Sequence, residues 1–131
     1  MTFELILTAP PSANAMRSAF VAQGRVRQVK SPAYTKWLKL AGQELIEEKA
    51  KSRFSTRMPP PPYDISIYVG ECNIRRDLDN FNKPILDFLK TQGLIEDDSV
   101  KFVHSVLVQK SPFASEKGKV RINIDYFGEN E

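Results

Sequence analysis

Four consecutive prolines, Pro59, Pro60, Pro61 and Pro62, constrain the fold of this chain more than any other feature. Each fixes its own φ and lacks a backbone N–H, so the run can neither continue a helix nor pair within a central strand. Residues 52–62 therefore read as a stiff extended connector, with helix and strand built from the stretches on either side. Neither stretch looks self-sufficient. The 131 residues are expected to form one domain, 1–131, large enough for a proper hydrophobic core.

Before the prolines, residues 3–7 read as a strand that Pro10, Pro11 and Ser12 break. Residues 14–30 are polar and basic around Gln23 and Gly24. They read as a loop with some strand character, a β-hairpin being the alternative. Ser31 and Pro32 then suit the N-cap and first position of a helix. Trp37, Leu40, Ala41, Leu45 and Ile46 recur at helical spacing through about Ala50, and Trp37 is expected to anchor that helix in the core.

After the prolines, residues 64–69 alternate as a strand and 81–92 read as a second helix, with Phe81, Ile85, Leu86, Phe88 and Leu89 apolar. Gly93 is placed to cap its C-terminus. Residues 100–109 and 120–127 read as two more strands, expected to be antiparallel neighbours joined by the polar loop 111–119. The order β, loop, α, β, α, β, β implies an α+β fold, a small mixed β-sheet with two helices packed on it.

No apolar run approaches the roughly 18 residues that a membrane span needs. The N-terminus has Glu4 and no basic stretch before its apolar part, so it reads as a first strand and not as a signal peptide. Cys72 and His104 are each alone of their kind, which argues against a disulfide framework and a zinc site. A reducing cytoplasm is the natural setting. Net charge is divided unevenly: residues 1–62 hold ten Lys and Arg against four Asp and Glu, the remainder nine against twelve. A basic half beside an acidic centre suits a polyanion gripped by charge and cut at a metal. Helical lysines and arginines that are simply solvated would give the same count.

The chemistry concentrates at Arg75, Arg76, Asp77, Asp79, Asn80 and Lys83, followed by Glu96, Asp97 and Asp98. Alternate residues of an extended chain point to one side, so Asp77 and Asp79 can converge. Converging carboxylates repel unless a cation lies between them, and Mg2+ takes such oxygen ligands together with substrate phosphates. Pro84 belongs in the first turn of a helix, so the second helix should begin near residues 80–82. Its N-terminus would attract phosphate, with Lys83 at the mouth. Plainer explanations stand beside each residue. Asp79 or Asn80 could be an N-cap, Lys83 could pair with Asp79 or Asp87, Asp97 and Asp98 could form a polar turn, and Arg75 and Arg76 could balance the acids. His104 reads as structural, and Phe20 is the one apolar candidate for a contact to DNA or to a second subunit.

The pattern Asp-x-Asp-Asn-x-x-Lys at Asp77, Asp79, Asn80 and Lys83, then Asp97 and Asp98 before the next strand, resembles the RusA family of Holliday junction resolvases. The opening strand followed by Pro10, Pro11, Ser12 and Asn14 is also similar to that family. The resemblance implies a homodimeric, Mg2+-dependent endodeoxyribonuclease (Mn2+ a possible substitute) that resolves four-way junctions with paired nicks. It implies Asp77, Asp79 and Asp98 as the metal-binding catalytic carboxylates and Lys83 as the catalytic lysine. Arg75, Arg76, Arg17, Arg25, Arg27 and Lys30 are the candidate DNA contacts. The alternatives are a metal-dependent nuclease for other branched DNA and a non-catalytic DNA-binding module.

Overall fold

The computed structural model describes residues 2–11, 17–22, 24–51, 61–71 and 81–127. The elements are β1 (Thr2–Thr8), β2 (Arg17–Ala22), β3 (Arg25–Lys30), α1 (Pro32–Lys51), β4 (Tyr63–Val69), α2 (Asn82–Thr91), β5 (Val103–Lys110) and β6 (Lys119–Tyr126). A four-stranded sheet has the order β1-β6-β4-β5, and β2 and β3 form a separate antiparallel pair. The fold is α+β with a mixed sheet, as the pattern of elements implies.

Alternation builds the core. Phe3, Leu5 and Leu7 of β1 face β6 at Ile124, Ile122 and Val120, which in turn face Ile65, Ile67 and Val69 of β4. All nine side chains are buried. They form three cross-strand rows, the unit through which a sheet face is stabilised. Each fully buried aliphatic or phenyl side chain contributes about 1.5–3 kcal/mol relative to exposure. Both helices bury their stripes in this same cluster: Tyr34, Trp37, Ala41 and Leu45 from α1, Ile85, Phe88 and Leu89 from α2.

Local signals explain where the helices lie. Ser31 accepts the Tyr34 N–H on its Oγ at 3.1 Å, a side-chain cap ahead of Pro32. Trp37 is buried, donates Nε1–H to the Thr8 carbonyl at 2.8 Å and meets Phe88 edge-on at 5.5 Å. Glu44 also ties α1 to β1, its carboxylate accepting the Thr8 N–H at 3.0 Å and the Thr8 hydroxyl at 2.9 Å. Two expected core positions differ. Leu40 is 41% exposed and Ile46 68% exposed. At about 100° per residue they lie to either side of the stripe that Trp37, Ala41 and Leu45 define.

Residues 17–30 form a hairpin, not the loop expected. Ala22 pairs with Arg25, so two residues make the turn, and Gly24 takes φ +72°, the left-handed conformation such turns use. The expectation that β5 and β6 are neighbours is also overturned. β4 lies between them, antiparallel to β6 and parallel to β5. A parallel pair needs a long crossover, and the stretch carrying α2 supplies it. The 111–118 connection then passes over the end of β4. Ser111 N–H reaches the Val69 carbonyl at 2.7 Å, and Gly118 N–H the Glu71 carbonyl at 2.8 Å. Glu116, buried, holds this connection by accepting Ser111 Oγ–H and, at 2.9 Å, Arg121 Nε–H. No helix among the described residues is long and apolar enough to cross a membrane.

Candidate active site

α2 begins at Asn82 with Pro84 buried in its first turn, where proline is tolerated. Phe81 occupies the N-cap without a side-chain cap bond, since a phenyl ring offers no acceptor, and its ring is buried in the core. Lys83 is therefore in the first turn. Its Nζ lies 3.8 Å from Asp87 Oδ2, four residues along, and the lysine is 60% exposed. That is a surface pair, worth about 0.3–0.5 kcal/mol on a helix.

Asp98 belongs to the other end of α2. Gly93 takes φ +73°, and Gly93 N–H and Leu94 N–H return to the carbonyls of Lys90 (3.0 Å) and Leu89 (2.9 Å). This glycine cap turns the chain back beside the last helical turn. Ile95 is buried in the core and pins the return. Asp98 then comes alongside Lys90, with Oδ1 to Nζ 3.7 Å. The Asp97 carboxylate accepts the Asp98 N–H at 2.9 Å. That bond, opposed by burial and joined by smaller contributions from Ser99, the Asp98 side chain and the Lys90 charge, holds the Asp97 carboxyl below the usual range.

Lys83 and Asp98 thus have different ion partners. Seven residues separate Lys83 from Lys90, about 10 Å along the helix axis. The Asp98 loop feeds β5 where β4 starts, Tyr63 N–H donating to the Phe102 carbonyl at 2.7 Å. The segment that carries Asp77 and Asp79 leaves from the far end of β4. Asp77, Asp79, Arg75 and Arg76 themselves lie outside the described residues, as do Asn80 and Cys72. Among the described residues no group of three or more His, Cys, Asp or Glu is arranged to hold a metal. Of the candidate ligand set, Asp98 is the described member, 38% exposed and a hard oxygen donor of the kind Mg2+ takes.

The basic candidates lie on the hairpin. Arg17 pairs in register with Lys30, Phe20 with Arg27 and Ala22 with Arg25. Arg25 and Lys30 are exposed. Lys90 has no reading from the sequence; His104 reads as structural, and the structure adds its partners. Lys90 looks like any polar helical residue, and only its basic character in a last turn could have marked it. His104 Nδ1 lies 2.8 Å from Asp64 Oδ1, which also accepts Ser105 Oγ–H at 2.7 Å, and the imidazole stacks on Phe127 at 3.6 Å.

A family model described as "Endodeoxyribonuclease RusA" matches residues 10–125. No curated protein matches the chain.

Proposed function

The chain belongs to the RusA family, endodeoxyribonucleases that resolve Holliday junctions, and from that premise we propose a homodimeric, Mg2+-dependent enzyme that cuts four-way DNA with paired symmetric nicks. The observation that carries this reading is the family match over residues 10–125, a span that includes all of the acids and the lysine of the motif. Residues 1–131 act as one domain in this reading.

Nucleases of this family depend on a metal in general, and the donor chemistry here fits one. Asp77, Asp79 and Asp98 hold Mg2+ through carboxylate oxygens, with Mn2+ as a possible substitute; the ion supplies an activated water and neutralises the leaving 3′ oxygen. Lys83 sets its ammonium against the negative charge that builds on the phosphoryl oxygens. Arg75 and Arg76 and the hairpin residues Arg17, Arg25, Arg27 and Lys30 grip the backbone phosphates, so binding weakens as salt rises.

A single domain offers one acidic site and a junction requires two cuts, so a two-fold dimer supplies the second. A panel of labelled substrates tests the reading. Paired symmetric nicks in a four-way junction, with flaps and duplex spared, support it. Preferential cutting of flaps would move the assignment to a nuclease for other branched DNA. Light scattering tests the dimer, and a fully active monomer would contradict it.

A further inference from the structure

The cation that the structure sets beside Asp98 is not the lysine of the motif. Lys90 Nζ stands 3.7 Å from Asp98 Oδ1, whereas Lys83 pairs with Asp87. Both sides of the Lys90–Asp98 contact are held. Lys90 lies in the last turn of α2, and the bonds from Gly93 to Lys90 and from Leu94 to Leu89 fix the return of the chain. Beside the contact, the Asp97 carboxylate accepts the Asp98 N–H at 2.9 Å. The contact itself is long, and both side chains are about half in solvent (42% and 38% exposed). Such a solvent-exposed pair is weakly held, so a divalent ion can displace it.

We propose that Lys90 is the counter-ion of Asp98 in the metal-free protein and competes with the divalent ion for that carboxylate. The inference rests on the reading of Asp98 as a metal ligand. A bare carboxylate at a DNA-binding surface repels incoming phosphate; an ammonium beside it removes that repulsion until the metal arrives. Once the ion holds Asp98, the ammonium is released next to it. Its flexible four-carbon stem and three donors suit a phosphate drawn to the same ion. Lys90 is in this sense a positioning residue for the Asp98 side of the site.

Mn2+ titration of the full chain, followed by the electron paramagnetic resonance of the free ion without DNA, tests the competition. Four proteins are compared: wild type, Lys90→Met, Lys90→Arg and Asp98→Asn. Lys90→Met is expected to bind Mn2+ about 3–10-fold more tightly, as removal of one nearby surface charge implies. Lys90→Arg keeps the charge and is expected to stay within about 2-fold of wild type. Asp98→Asn should bind more weakly, and adding Lys90→Met to it should change nothing further. If Asp98→Asn weakens binding but Lys90→Met does not tighten it, the assignment of Lys90 fails and the metal site stands. If Asp98→Asn binds like wild type, the reading of Asp98 as a ligand fails, and the Lys90 inference fails with it.

Discussion

The carboxylate of Asp97 folds back to accept the backbone N–H of Asp98, Oδ1 to N 2.9 Å. In the proposed site this bond makes Asp97 a support for Asp98, distinct from the ligand role proposed for Asp98 itself. Asp97→Ala removes the acceptor and should lower the single-turnover cleavage rate by about 10–100-fold, the usual cost of losing a group that orients a metal ligand. Asp97→Asn keeps an acceptor oxygen at the same place and should retain most activity. An alanine variant that cuts like wild type would show that Asp98 needs no such support.

Lys83→Ala should reduce turnover far more than junction affinity. Loss of one transition-state donor costs on the order of 10²–10³ in kcat, whereas one phosphate contact among many shifts binding modestly. The comparison is single-turnover cleavage against gel-shift affinity in the same buffer. Unchanged turnover would reduce Lys83 to the surface partner of Asp87 that the 3.8 Å contact describes.

Gly70 lies where the 111–118 connection passes over the end of β4. A methyl group there would run into the Glu116 carbonyl and come within 2.9 Å of the Lys119 carbonyl. Both obstacles are backbone, so neither can swing aside. Gly70→Ala should lose about 1–3 kcal/mol in urea unfolding, the range for overpacking a tight site. Unaltered stability would mean that the connection stands off from β4.

The strands and caps were legible because their signals are local. Ser31 and Pro32 start α1, Gly93 takes the positive φ of a helix cap, and Trp37 is buried as its spacing implies. What escaped is non-local. Alternation in residues 103–110 and 119–126 tells which side chains share a face but not which strand lies alongside, so the insertion of β4 between β5 and β6 had no sequence signature. In the 17–30 hairpin, Arg17, Arg25, Arg27 and Lys30 obscured the apolar alternation by which strands are recognised. The Lys90–Asp98 contact arises from the return that Gly93 directs, and spacing along α2 does not foretell it.

Asp64 predicts an acid-labile contribution to stability. Burial pushes its carboxyl upwards, but the hydrogen bonds from Ser105 and His104, with the His104 charge, outweigh that and hold it below the usual 3.8. A depressed carboxyl stabilises above its unfolded value and loses the contribution as pH falls through the folded one. Asp64→Asn should therefore cost up to about 1 kcal/mol at neutral pH, the range for an exposed pair. The difference from wild type should disappear in melts taken well below pH 3.8. A penalty that persists unchanged in acid would assign Asp64 a packing role alone.

Cleavage of a labelled four-way junction with Mg2+ and with EDTA, wild type beside Asp98→Asn, tests the central claim most directly. Wild type should give metal-dependent paired nicks. Asp98→Asn should lose cleavage by a factor on the order of 10²–10³ or more while binding the junction at least as well, because a negative charge facing phosphate is gone. Equal cutting by the variant, or cutting by wild type in EDTA, would contradict the account.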